Sequence, residues 1–269
     1  MATKFHGRPC WFELGTTDLD GAKAFYGKVL GWTVGDSAMP DFDYRLATVK
    51  GERDMVAGLM TLDQQPPGTP PNWVIYFATD DCDATARRVE EKGGTVIKQP
   101  DDIPGTGRFA VVTDPQGAVF GILQPDMSQM SPEDIAQAEA GHGAFDPETP
   151  GHGAWVELMS SDPEAGFDFY ADLFGWTRGE VFPAEDEKSG DYQLFQNDGV
   201  AIGGMMGLGD APMPVWLPYF GIESATATVE AVKAAGGHVE FGPMEVPGPA
   251  WTVLGSDPQG AWVAFVGQK

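Results

Sequence analysis

Cysteine is scarce, with Cys10 and Cys82 the only two in 269 residues. They have neither metal-site spacing nor the density of a disulfide framework, which fits a reducing compartment. Histidine is nearly as scarce. His6 lies at the terminus, His142 and His152 in or beside a Gly/Pro-rich stretch, and His238 after a Gly-Gly pair. All four read as surface or loop histidines; His152, just before a strand, is the one to watch. Basic residues number 16 against 40 acidic ones, a formal charge of −24. Such a surface repels phosphate backbones and anionic lipid, which argues against nucleic-acid and membrane-surface roles and favours solubility. No window reaches the apolar length of a membrane span, and the first residues hold no signal-like apolar core, so a cytoplasmic protein is expected. P-loop, G-x-G-x-x-G and nucleophile-elbow motifs are absent. The run Gly203-Gly204-Met205-Met206-Gly207 reads as a closely packed apolar strand rather than a phosphate loop.

What the chain does have is glycine (36), proline (22) and 42% hydrophobic residues. That composition suits many short strands and turns around a real core. It also has a repeat. WFELGTTDLDGAKAFYGKVLGW at 11–32 matches WVELMSSDPEAGFDFYADLFGW at 155–176, and the Asp-Pro-Gln-Gly that begins at Asp114 recurs at Asp257. The chain is a duplication with domains at 1–124 and 152–269. Residues 125–151 read as an interdomain linker with a short helix from Ser131 to Ala140.

Each copy opens with a strand (Cys10–Leu14; Ala154–Met159) that leads into a helix capped by Asp18 or Asp162, with Pro163 at the first helical position. Ala22, Phe25, Tyr26, Val29 and Leu30 follow helical spacing, and Gly31 and Gly175 end the helices. Further strands are expected at Tyr44–Val49, Met55–Met60, Asn72–Ala78, Phe109–Thr113 and Val119–Leu123, with a helix at Asp83–Lys92. Gly35–Asp43 and Gly179–Asp191 read as loops, either lids or simply solvated segments.

The helix "FYGKVLGW", the helix-ending "GG" and the "DPQG" turn before a last apolar strand resemble the vicinal oxygen chelate superfamily of glyoxalases, bleomycin-resistance proteins and extradiol dioxygenases. Within it, the pattern is similar to that of the two-domain actinobacterial type labelled hydroxylase or glyoxalase-like. The resemblance covers nearly everything outside the linker. It implies an α+β fold of paired βαβββ modules, with curled mixed sheets around a cleft. It also implies metal ligands on up to four strands. The corresponding positions here are Trp11, about Gly58, Val74 and Gly121, then Trp155, about Gly204, Leu217 and Ala264. None is a ligand type, and a one-residue slip in register exposes only Cys10. No metal and no cofactor is therefore expected.

Residues two apart on a strand share a face, so Trp11 goes with Glu13 and Trp155 with Glu157. Tyr76, Gly121, Tyr219 and Trp262, with Arg108 and its counterpart Trp251, complete the expected lining of an aromatic, apolar ligand site. The small residues at 121 and 264 leave room where a metal would sit. Glu13 and Glu157 are the acid/base candidates, since burial beside tryptophan raises a carboxyl pKa. Alternatively each bonds to backbone, or pairs with an arginine such as Arg45 or Arg108. Tyr76 and Tyr219 either donate to a ligand or simply pack. Three functions are open: a metal-free binder of a hydrophobic or aromatic metabolite or antibiotic, a metal-independent enzyme using Glu13 or Glu157, and, least favoured, a metal-dependent lyase or dioxygenase. The only partner implied is a small molecule, with the modules pairing within one chain as a pseudo-dimer, monomeric or further dimerised.

Overall fold

The computed structural model describes residues 3–37, 43–49, 55–129, 131–139, 143–183 and 188–269. The first repeat runs β1 (Pro9–Thr16), α1 (Leu19–Val29), β2 (Trp32–Asp36), β3 (Tyr44–Val49), β4 (Met55–Thr61), β5 (Asn72–Ala78), α2 (Cys82–Glu91), β6 (Thr95–Ile103), β7 (Gly107–Thr113) and β8 (Val119–Pro125). After α3 (Pro132–Glu139), the second repeat runs β9 (Gly153–Ser160), α4 (Pro163–Phe174), β10 (Thr177–Phe182), β11 (Tyr192–Asn197), β12 (Val200–Gly207), β13 (Val215–Ile222), α5 (Ala225–Ala234), β14 (His238–Val246), β15 (Ala250–Ser256) and β16 (Trp262–Gly267). Each repeat carries one mixed eight-stranded sheet, in the orders β2-β3-β4-β1-β5-β8-β7-β6 and β10-β11-β12-β9-β13-β16-β15-β14. The fold is α+β, as the motifs implied.

The caps account for where the helices begin. The Asp18 side chain accepts from the Gly21 N–H at 2.9 Å, and Asp162 accepts from the Ala165 N–H at 3.1 Å. Gly31 and Gly175 follow the helices at φ 72°, a left-handed conformation that a side chain would strain. β2 and β10 stand where no strand was placed, and two further strands, β6 and β14, were not expected either. Both are edge strands, mostly exposed, with Pro100 and Pro243 inside them, so they lack the apolar alternation that marks a half-buried strand. The two expected loops are shorter than their reading, because Gly35–Asp36 closes β2 and Gly179–Phe182 lies in β10. Their middles, 38–42 and 184–187, fall outside the described residues, as does His142.

The chain divides into two compact units. One comprises Met1–Cys10, Ile75–His142 and Val156–Trp216; the other comprises Trp11–Val74, Gly143–Trp155 and Leu217–Lys269. Each unit thus draws one βαβββ module from each repeat. In the second unit α1 packs on α5, and in the first α2 packs on α4. The cores are aromatic. Phe12, Trp32, Trp73 and Phe220 stack edge-on within one, and Phe77, Phe174, Trp176 and Trp216 within the other. Full burial of each such side chain contributes about 1.5–3 kcal/mol.

A buried clasp closes each unit. Tyr26 Oη of α1 donates to Asp257 Oδ2 at 3.0 Å and accepts from Trp73 Nε1 at 3.1 Å. The other unit repeats this, with Tyr170 donating to Asp114 at 3.0 Å and accepting from Trp216 at 2.9 Å. These are the aspartates of the Asp-Pro-Gln-Gly turns, whose other oxygen takes turn N–H groups such as those of Ala118 and Ala261. The motif that marked the family is therefore a structural lock between the repeats' modules.

Candidate functional site

Strand alternation sorts the candidates onto two faces. Phe12 and Leu14 of β1, Ala110 and Val112 of β7, and Phe120 and Ile122 of β8 are fully buried in the core. Their neighbours Trp11, Glu13, Phe109, Gly121 and Leu123 therefore point to the opposite face.

On that face, the second unit holds a hydrogen-bonded chain. Trp11 Nε1 donates to Tyr44 Oη at 2.9 Å, and Tyr44 Oη donates to Glu13 Oε2 at 2.9 Å. Glu13 of β1 lies opposite Gly58 of β4, and Gly58 lies opposite Leu46 of β3. The first unit repeats the arrangement. Tyr192 Oη donates to Glu157 Oε2 at 2.9 Å, Glu157 lies opposite Gly204, and Gly204 lies opposite Leu194. Met60 lies opposite Tyr44. Glu157 is buried, at 7% exposure, and Glu13 is half-buried. Burial, then the Glu13 carboxylate, hold the Tyr44 phenol well above the usual tyrosine range, so it stays protonated as a donor.

Gly58 and Gly204 are the fourth-strand positions at which the resemblance places a metal ligand. A Cβ at Gly58 would lie 1.9 Å from Tyr44 Oη, and one at Gly204 would lie 2.3 Å from Tyr192 Cζ. The tyrosines occupy that space. The expected vacancy at Gly121 is corrected in the same way, because the Tyr76 ring covers it, with Cδ1 2.1 Å from where a Cβ would be. Tyr76 and Gly121 are register partners, as are Tyr219 and Ala264. Tyr76 is buried against Phe109, with ring centroids 6.4 Å apart.

Arg108 and Trp251 are not on this face. Arg108 alternates with Ala110 and Val112 toward the helix-covered side, where it pairs with Asp83 of α2 at 2.7 Å and with Asp102 at 2.8 Å. Trp251 alternates with buried Val253 in the same sense, and Lys269 Nζ sits 4.3 Å from its ring centroid. Arg45 is likewise drawn to Asp20 and Asp43. Glu13 accepts from Tyr44. Trp262 stands at the start of β16 and is 49% exposed. Trp155 is half-buried on β9, and Tyr219 half-buried on β13.

The donors present do not fit a divalent ion. Among the described residues no three His, Cys, Asp or Glu side chains converge as a metal site. The Cys10 thiol donates to the Tyr76 carbonyl at 3.4 Å, and burial pushes its pKa up, away from the thiolate a metal needs. His152 is buried, with Nδ1–H donating to the Gly143 carbonyl at 2.6 Å. His6 Nε2–H donates to the Leu173 carbonyl at 3.0 Å.

Sequence reasoning missed Tyr44 and Tyr192. The signal was there, since Asp43-Tyr44 and Asp191-Tyr192 are the same dipeptide at matching places in the two copies.

Fold and site together define a tandem protein of paired βαβββ modules, with one Glu–Tyr pair beside Gly58 and another beside Gly204. The model of the Glyoxalase/Bleomycin resistance protein/Dioxygenase superfamily matches residues 9–122 and again 152–265, and the chain belongs to that superfamily. It is 33% identical over 262 residues to CFP32 of Mycobacterium tuberculosis, provisionally named a glyoxylase, spanning 95% of this chain and 92% of that one. It is 32% identical over 279 residues to the anthracycline biosynthesis protein DnrV of Streptomyces peucetius, spanning 97% and 93%. Among solved structures, the 2,3-dioxygenase LapB of Pseudomonas sp. KL28 shares the fold at a TM-score of 0.66 and 15% identity, spanning 97% of this chain and 93% of that one. The Mn(II)-bound glyoxalase of Novosphingobium aromaticivorans does so at 0.64 and 17%, spanning 100% and 83%. No helix among the described residues is long and apolar enough to cross a membrane.

Proposed function

We propose that the chain is a metal-independent member of its superfamily that binds a small, flat hydrophobic molecule on the faces carrying Trp11, Tyr44 and Glu13, and Glu157 and Tyr192. The observation that carries this reading is the replacement of ligand positions by glycines that tyrosines fill. A face of Trp, Tyr, Leu and Met with one fixed carboxylate offers aromatic contact area and one directional polar group. The names of two relatives, the anthracycline biosynthesis proteins DnrV and DauV, point to a polycyclic aromatic of the anthracycline kind. Tyr76, Gly121, Trp155, Tyr219 and Trp262 belong to the proposed binding surface; Arg108 and Trp251 do not.

The test is metal analysis of the purified protein, followed by thermal unfolding with an anthracycline aglycone, with and without EDTA. A ligand at about 100 times its Kd stabilises by about 2.7 kcal/mol, which is several degrees for a chain of this size. Stoichiometric bound transition metal, or a shift abolished by EDTA, would overturn the reading.

A second reading is favoured by one observation, the duplicated carboxylate held by a phenol in a largely buried setting. There Glu13 or Glu157 moves a proton to or from the bound molecule. Recovery of a chemically altered ligand, with turnover lost in Glu13→Gln or Glu157→Gln, would establish it.

A further inference from the structure

The two repeats differ at the far edge of their sheets, so each copy serves as a control for the other. In the second copy, Trp262 of β16 lies opposite Ser256 of β15, Ala264 opposite Leu254 and Val266 opposite Thr252. On the other side of β15, Phe241 of β14 lies opposite Leu254 and Met244 opposite Thr252. The intervening Val253, Val263 and Phe265 are buried in the core. Trp262, Leu254, Thr252, Phe241 and Met244 therefore share the face away from the helices. Phe241 is 57% exposed there, and Met244 and Trp262 are each 49% exposed. None of the five is charged, in a chain with 40 acidic and 16 basic side chains. Charge enters at the end of the face, where His238, opposite Ser256, meets Glu240 at 3.2 Å.

The first copy sets different residues at the same register. Lys98, opposite Val111, stands where Phe241 does; Asp101, opposite Phe109, stands where Met244 does; Val119, opposite Thr113, stands for Trp262. Lys98 Nζ pairs with Asp101 at 3.1 Å and lies 5.1 Å from the Phe109 ring centroid. An ion pair thus occupies the positions that the second copy gives to exposed apolar side chains, and an exposed apolar patch is the mark of a binding surface. Strands lie about 4.8 Å apart, so this face is about 10 Å wide across β14–β16, and Phe241 and Met244 stand opposite residues about 7 Å apart along β15. A single ring covers one of the three exposed side chains, whereas several fused rings reach all of them. A charged group laid on the middle of the face would lose its water without gaining a counter-ion. Resting on the binding just proposed, and naming its ligand class, we infer that the Phe241–Met244–Trp262 face seats an uncharged molecule of several fused rings and that the ion-paired face of the first copy does not. Phe241 and Trp262 supply aromatic contact, and Met244 supplies a polarisable thioether at a ring edge.

Nile red, an uncharged dye of four fused rings whose emission rises on apolar contact, tests this on the full chain by fluorescence titration. Saturable binding to wild type is expected. Phe241→Lys/Met244→Asp, which installs the first copy's ion pair, should weaken it at least about tenfold, the ratio that burial of one such side chain is worth. Trp262→Val, the first copy's residue, should weaken it several-fold, and Lys98→Ala/Asp101→Ala should not weaken it. The substituted side chains are all exposed. Circular dichroism checks that each variant is folded, and Trp262→Val decides if the Phe241/Met244 pair is not. Equal affinity of wild type and both second-copy variants overturns the inference, as does an absence of Nile red binding. The binding reading then stands if the anthracycline aglycone still stabilises the wild type, and falls as well if it does not. A wild-type dimer in sedimentation that Phe241→Lys/Met244→Asp converts to monomer also overturns the inference, because a second copy then covers the face.

Discussion

Replacing Gly58 by alanine should damage this protein far more than the same change at Gly35, although both are strand glycines of one sheet. At Gly35 an added methyl meets nothing within 4 Å. Its effect should fall within about 0.5 kcal/mol of zero, and the loss of chain freedom in the unfolded state makes a small gain reasonable. At Gly58 the new methyl would lie 1.9 Å from Tyr44 Oη and 2.3 Å from Cζ. The ring must swing away, because no protein packs carbon against oxygen at that distance. Overpacking of this kind costs about 1–3 kcal/mol. The displaced hydroxyl also abandons Glu13 and Trp11, and a hydrogen bond to a charged group is worth about 1.5–3 kcal/mol. Solvent reaching a half-buried site recovers part of this, so we expect a net loss of about 2–4 kcal/mol, or roughly 1–2 M in urea midpoint for a slope near 2 kcal/mol per M. The assay is urea unfolding of wild type, Gly58→Ala, Tyr44→Ala, Gly35→Ala and Gly58→Ala/Tyr44→Ala, with midpoints compared because two units need not unfold as one. The double variant removes the clash, so its loss should be smaller than the sum of the two single losses. A Gly58→Ala midpoint equal to that of Gly35→Ala would refute the packing argument and with it the claim that tyrosine fills the ligand position.

The remaining predictions concern the clasp and the two faces. Tyr26→Phe leaves the Asp257 carboxyl and the Trp73 indole without their shared partner, and should lower stability by about 2–4 kcal/mol in urea unfolding; a change below about 0.5 kcal/mol would show the clasp to be incidental. Burial, outweighing the hydrogen bonds that oppose it, holds the Asp114 and Asp257 carboxyls above the usual range. The folded form then binds that proton more tightly than the unfolded chain, whose value is about 3.9. Their contribution to stability is thus full below that value and lost as pH rises through the raised folded value. The stability of wild type relative to Asp257→Asn should therefore decline as pH rises from about 4, and urea midpoints showing a rise instead would contradict the cause assigned. Arg108→Ala should leave the thermal shift given by an anthracycline aglycone unchanged, since its side chain lies with Asp83 and Asp102; loss of that shift would return Arg108 to the binding face.

The repeat, the capped helices and the central strands were legible in the sequence because each is set by local rules. Asp18 and Asp162 cap, Gly31 and Gly175 turn, and Phe25-Tyr26 recurs as Phe169-Tyr170 at helical spacing. Edge strands β6 and β14 were not legible, because a strand that buries neither face has no alternation to display. In the site, Trp11 came from the position the resemblance marks, and Glu13 from alternation with it. Tyr44 came from neither, since its role depends on β3 lying two strands from β1, with a glycine, Gly58, on the intervening β4. Arg108 was counted with the lining, whereas alternation with Ala110 and Val112 assigns it to the helix-covered side.

The way the two units draw on the chain has a consequence for synthesis. The Tyr170–Asp114 clasp joins residues 56 apart, whereas Tyr26 must wait for Asp257, 231 residues later. As the chain leaves the ribosome, the unit ending at Trp216 has all its parts while the other still lacks Leu217–Lys269. The first module, with Phe12 and Trp32 destined for a core that includes Phe220, is thus made early and buried last. Closing so long a loop is slow, and exposed apolar surface in the interval invites wrong partners. The strongly acidic composition then has a second use, as mutual repulsion between nascent chains whose earliest aromatic residues are the last to find cover.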